Sequence, residues 1–191
     1  MNRLLKLKHW QLFILLFGIP FILQFVFAFF MVLAPGSMMP YAFMPIVMFL
    51  FIAIFFGWFY ALGTALHKRL PGSVKMNVTT FKIFLFIPVV YIMVLCVLMF
   101  WVFNTVVNSD ALPDLRWFLL IIPVHLFSMF CIFYCLYFVA KALKAVELQK
   151  PVAISDYVGE FFLLWFYPVG VWIIQPRVNK LFEQDDEFAS R

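Results

Sequence analysis

The chain has 191 residues, 66% hydrophobic and 12% charged, with a formal net charge of +5. A soluble domain of this length has too little interior to hide 10 Met and 28 Phe, so water is excluded as its main solvent and lipid must cover the remainder. The basic residues gather at the ends of apolar runs, which makes the positive charge a topology signal and excludes the need for a nucleic-acid partner.

Arg3, Lys6 and Lys8 precede a run with no charged residue before Lys68. That run is too long for one span of about 20 residues, and Pro35, Gly36, Ser37 and Pro40 divide it with a turn. We therefore expect spans over 10–33 and 41–66. The basic leader, with Val32-Leu33-Ala34 as a cleavage site, has the look of a signal peptide. Its apolar stretch exceeds the roughly 7–15 residues of a signal core, so an uncleaved first span is expected. Gln24 lies mid-span, where an amide needs an interhelical partner or water.

In the second span Ala53, Gly57, Ala61 and Ala65 recur every four residues and share one helix stripe. Small side chains let backbones approach closely in lipid, so the stripe is expected to pack against the other helices, with a seam between two copies as the alternative. The basic loop that follows carries Asn77-Val78-Thr79, a glycosylation pattern that has no relevance on a cytoplasmic loop.

Third and fourth spans are expected over 83–107 and 117–140. Of the 14 Lys and Arg, four spans leave Arg116 alone on one side, accompanied by Asp110 and Asp114. Both termini and the 67–82 loop should therefore be cytoplasmic. Arg3, Lys6, Lys8, Lys68, Arg69 and Lys75 also suit anionic headgroups. Each span contains a proline (Pro20, Pro45, Pro88, Pro123), which predicts four bends. Pairing Pro20 with Pro88 and Pro45 with Pro123 sets Ala53 against Cys131 and Gly57 against Cys135, the pattern of a duplicated helical hairpin.

His125, Ser128, Cys131 and Cys135 fall within roughly 120° of helix circumference. Imidazole and thiols bind soft metals, but one helix supplies few ligands, and a packing stripe is the expectation. No metal or other cofactor is expected. Cys96, Cys131 and Cys135 all lie within spans and imply no disulfide framework. No nucleophile with a base, carboxylate pair or phosphate-binding loop occurs in an arguable arrangement, which points away from an enzyme. The four spans contain no Asp or Glu, the usual ingredient of proton-coupled transport.

After 140 the good helix formers of 141–150 should extend the fourth helix into the cytoplasm as far as Pro151, with Leu143, Val146 and Leu148 forming a partly apolar face. The acidic tail 183–191 is expected to be disordered. Between them lie Gly159-Glu160-Phe161-Phe162, Tyr167-Pro168-Val169-Gly170-Val171-Trp172 and Gln175-Pro176-Arg177-Val178-Asn179. This stretch resembles the C-terminal segment of an uncharacterised group of bacterial multi-pass membrane proteins. The resemblance implies a bacterial membrane protein and brings no activity, ligand or catalytic residue.

Physically, the charge-free run 161–176 is shorter than the roughly 20 residues of a span, and Pro168 and Gly170 interrupt it. Trp165 and Trp172 flank that break, as suits headgroup level. We expect 157–176 to be re-entrant or interfacial, with a fifth span as the alternative. A hairpin turning at 168–170 would bring Glu160 to Arg177 or Lys180, and let Ser155 or Asp156 cap its first helix. In a continuous helix Glu160 and Arg177 would lie about 25 Å apart.

The reading as a whole is an all-α integral membrane bundle, 1–182 forming one membrane domain, in a bacterial cytoplasmic membrane with the N-terminus inside. The expected function is a non-enzymatic scaffold or accessory subunit, its partners the lipid bilayer and either another membrane protein or a second copy. The alternative is a small-solute channel or carrier.

Overall fold

The computed structural model describes residues 3–34, 39–109 and 116–189. The turn around Pro35 and the loop holding Asp110 and Asp114 lie outside them. No strand forms among the described residues. Four helical stretches are long and apolar enough to cross a membrane: His9–Leu33, Pro45–His67, Val78–Val106 and Leu119–Leu148.

The first span follows a short 3-10 turn, Arg3–Lys6, and consists of α1 (His9–Phe13), a π turn (Ile14–Gly18) and α2 (Ile19–Leu33). Pro20 explains the π turn. It has no N–H to give to the carbonyl four residues back, and its ring would collide with that carbonyl. Widening the helix lets the Ile19 N–H reach the Ile14 carbonyl instead.

The second span belongs to α3 (Met39–His67), the third to α4 (Val78–Ser109) and the fourth to α5 (Arg116–Leu148). Pro40 stands in the first turn of α3, where its missing N–H costs nothing. Asn77 starts α4: its Oδ1 accepts the N–H groups of Thr79 and Thr80 at 2.9 and 3.1 Å. Gln149, with a positive φ of 52°, ends α5 just before Pro151.

Two further helices, α6 (Ile154–Trp165) and α7 (Tyr167–Ala189), fold against each other through a turn at Phe166. The turn comes two residues before the expected Pro168, because Pro168 opens α7. A side chain on Gly170 would run into the Leu163 carbonyl, so the close crossing requires glycine there. Phe133, which the hairpin's Trp165 meets edge-on at 4.9 Å, lies about 12 Å along α5 from Lys141. The hairpin thus runs beside α5 for a distance far short of the roughly 30 Å apolar thickness of a bilayer, as the re-entrant or interfacial expectation requires.

Helix α7 continues to Ala189 from a packed stem in which Val178 and Phe182 are buried. On the apolar face of the extended α5, Leu143 and Val146 are buried where α5 packs against α6, so the C-terminal hairpin covers part of that face.

The core is confined to the basic end of the bundle, built from Leu5, Leu12, Trp58, Leu62, Phe81, Phe138 and Ile174 among others. The small-residue stripe divides across it. Ala61 is buried and Ala65 half-buried, Gly57 faces Leu4 of the leader, and Ala53 is exposed. The position that lets α3 meet α4 closely is Gly63, off the stripe, against which the Phe81 ring lies. Phe81 in turn stacks on Phe138 at 4.5 Å and has no room to retreat. The duplicated-hairpin alignment pairs unlike environments, since Cys131 is buried where Ala53 is exposed.

Gly63→Ala should therefore destabilise the protein by about 1–3 kcal/mol, the range for overpacking a full core. Gly57→Ala should be close to neutral, because its new methyl would meet Leu4 at an ordinary 3.6 Å. Detergent unfolding curves of the two variants test this; equal midpoints would contradict the Phe81 contact.

Candidate functional site

The polar groups of the basic end converge on α7. Gln175 is fully buried and its amide orientation is forced by its neighbours. Its Oε1 accepts the Trp58 indole N–H at 3.1 Å. Its Nε2 donates to the carbonyls of Leu5 and Leu7 at 3.1 and 2.9 Å and to Asn179 Oδ1 at 3.0 Å. One turn further on, the Asn179 amide also donates to the Leu7 carbonyl, at 3.2 Å. Two side chains of α7 thus satisfy backbone carbonyls that the leader could not pair by itself, since the chain between the 3-10 turn and α1 is not helical. His9 and Phe13 finish the contact by packing on Trp172 at 4.9 and 5.4 Å.

On another face of α7, Arg177 forks between two carboxylates. It donates to both oxygens of Glu147 on α5 and to Glu160 Oε1 on α6 at 2.7 Å. Lys144 approaches the same Glu160 oxygen at 3.2 Å. Burial pushes the Glu160 carboxyl up, but hydrogen bonds from Arg177 and Lys144 outweigh it and hold the group below the usual carboxylate range. The Glu147 carboxylate, working against desolvation, and Glu160 hold the Arg177 guanidinium above its usual value. Asp156 caps α6 by accepting the Ala153 N–H at 2.8 Å. Arg69 of the basic loop donates to the Leu181 carbonyl and lies 3.6 Å above the Phe182 ring.

The structure thus brings Glu160, Pro168, Gly170 and Arg177 into one hairpin, with Glu160 and Arg177 at its feet. The remaining sequence candidates do not join it. Gln24 is exposed on the first span, away from this lattice. His125 is exposed too, its Nδ1 3.0 Å from the Tyr91 hydroxyl, and it stands apart from buried Ser128, Cys131 and Cys135. Among the described residues no three His, Cys, Asp or Glu side chains are placed to hold a metal ion. Gln175, Asn179, Trp58, Lys144 and Glu147 carry much of the lattice although sequence reasoning gave them no role. A signal existed in Gln175, an amide at the end of an apolar run and followed by proline.

Chemically the lattice is committed to itself. Glu160 is held ionised by two cations, which makes it a poor proton acceptor at neutral pH. What the arrangement does is fasten leader, α3, α5 and α6 to α7.

Because the folded Glu160 carboxyl titrates below its unfolded value of about 4.3, its contribution to stability is present above that value and fades as pH falls through the folded one. Glu160→Gln should flatten this acid-side loss. Arg177→Gln should cost about 2–3 kcal/mol at neutral pH, less than the ~3–5 kcal/mol of a fully buried pair, because the Arg177 side chain is 28% exposed. Unfolding midpoints between pH 3 and 7 check both, and an unchanged acid limb in Glu160→Gln would contradict the assignment.

No family model, no curated protein and no solved structure matches the chain.

Proposed function

We propose that this chain is a non-enzymatic scaffold or accessory subunit of a bacterial cytoplasmic membrane, its basic end in the cytoplasm, that binds and positions another membrane protein. The observation that carries the proposal is the division of the bundle into a buried, interlocked basic end and an opposite end whose apolar surface is open. Only 11% of the most apolar stretch of the first and of the third span is buried, against 39% for the second. Such surface is available to lipid and to partner helices.

A channel or carrier would need a polar passage. The cleft of about 360 Å3 between the first three spans is walled by Phe27, Met48, Cys96, Phe103 and other apolar side chains. Gln24 and His125, the polar groups best suited to line a passage, are exposed on separate spans. The positive-inside bias supports the orientation, and the resemblance of the C-terminal segment supports the bacterial membrane.

Affinity purification in mild detergent should yield a second membrane protein in fixed ratio. A lone monomer carrying nothing but lipid would overturn the scaffold reading. For the orientation, Ser73→Cys and Ser109→Cys are introduced with the native cysteines replaced. An impermeant thiol reagent applied to intact cells should label position 109 and spare 73; the reverse pattern would invert the topology.

A further inference from the structure

Two apolar grooves flank α4 near its basic end. One, of about 280 Å3, lies between α3 and α4 over Ala53 and Gly57, with Tyr60 at its mouth. The other, of about 640 Å3, is open along α4 as far as Val94 and is bounded across the way by Val124 of α5. Phe86 is the ridge between them and belongs to both. Lys82 stands at the head of the second groove, and its ammonium lies 5.8 Å from the Tyr60 ring that closes the first. One cation therefore commands both entrances.

The dimensions suit a particular occupant. From Lys82 to Val94 the helix rises about 18 Å, close to the roughly 15 Å depth of one leaflet's hydrocarbon. The grooves run along the helix from a charge at the boundary to apolar walls below, which is the polarity of a phospholipid. Lys82 has no carboxylate paired with it among the described residues. A phosphate is thus welcome there, while Lys82 would repel the ammonium of a zwitterionic headgroup.

We propose that Lys82 and the two grooves bind one anionic diacyl phospholipid from the leaflet at the basic end, its phosphate on the Lys82 ammonium and one acyl chain on each side of Phe86. Exposed Ala53 acquires a role in this arrangement: its small side chain leaves the floor of one groove open. The site is independent of the scaffold reading, since a monomer without protein partners would bind the same lipid.

The test is native mass spectrometry of the detergent-solubilised full-length chain, titrated with phosphatidylglycerol or with phosphatidylcholine of identical chains. One phosphatidylglycerol should be retained about five-fold better than phosphatidylcholine, the preference expected from one basic residue at the surface. Lys82→Gln should abolish the preference and Lys82→Arg should keep it, while Lys75→Gln leaves it unchanged. Ala53→Phe and Val90→Trp, which fill one groove each, should weaken retention of both lipids. The proposal is overturned if Lys82→Gln retains the preference, or if the groove-filling variants bind as well as the parent chain. It is also overturned if Ala53→Phe dissolves a dimer that excludes lipid, which would assign the groove to a second copy.

Discussion

A helical hairpin that enters a bilayer and returns has two charged feet and a turn with unpaired backbone groups, and its geometry is tolerable only where the surrounding protein neutralises the first and pairs the second. Arg177 meets the first demand by joining Glu160 to Glu147, so that the feet of α6 and α7 are tied to each other and to α5. At the turn, the Phe166 N–H donates to the Phe162 carbonyl at 2.8 Å and the Gly170 N–H to the Phe166 carbonyl at 2.9 Å, which leaves little for lipid to leave unsatisfied. Remove the guanidinium and two carboxylates would face each other with Lys144 alone to hold them.

The rest of the basic end depends on α7 being where that fork puts it. Gln175 and Asn179 can reach the leader carbonyls only from this position, and the leader can turn from its 3-10 start into α1 only because those carbonyls are received. The hydrogen bond from Trp58 then locks α3 to the same amide. A buried amide with every donor and acceptor used resists displacement, because any shift strands several polar groups at once in a medium that cannot replace them.

The two ends of the bundle differ for a related reason. At the basic end, small residues such as Ala61 and Gly63 and the stacked Phe81 and Phe138 allow helices to close on one another, and polar bonds add specificity. Toward the other end the spans carry bulky Phe, Leu and Val that are largely exposed, as at Phe25, Phe29, Val97 and Leu120. In water such a surface would collapse. In hydrocarbon there is no hydrophobic drive to bring helices together, so the spans have no cause to pack along their whole length. The grooves beside α4 sit where the packed half gives way to the open half, which is why they face lipid and begin at a lysine.

Four spans and their proline positions could be read directly, because in lipid every backbone group must be paired within the segment and the only local solution is a helix of sufficient length; the Asn77 cap that starts α4 before the expected 83 was not read. The charged ends of the C-terminal segment and its interrupting Pro168 and Gly170 were equally visible, and they limited that segment to a hairpin or a short fifth span. Which of the two holds was decided by long-range contacts: Arg177 with Glu147, thirty residues away, and Gln175 with a leader at the far end of the chain. Such partners carry no periodicity, and apolar periodicity itself is a poor guide where both lipid and core accept the same side chains. For that reason the stripe from Ala53 to Ala65 was legible as a row of small residues, yet its division into buried and exposed ends was not. The sequence by itself determined the solvent, the spans and the location of charge; tertiary structure decided which polar groups meet, because pairing in a membrane depends on the arrangement of helices and not on the order of residues.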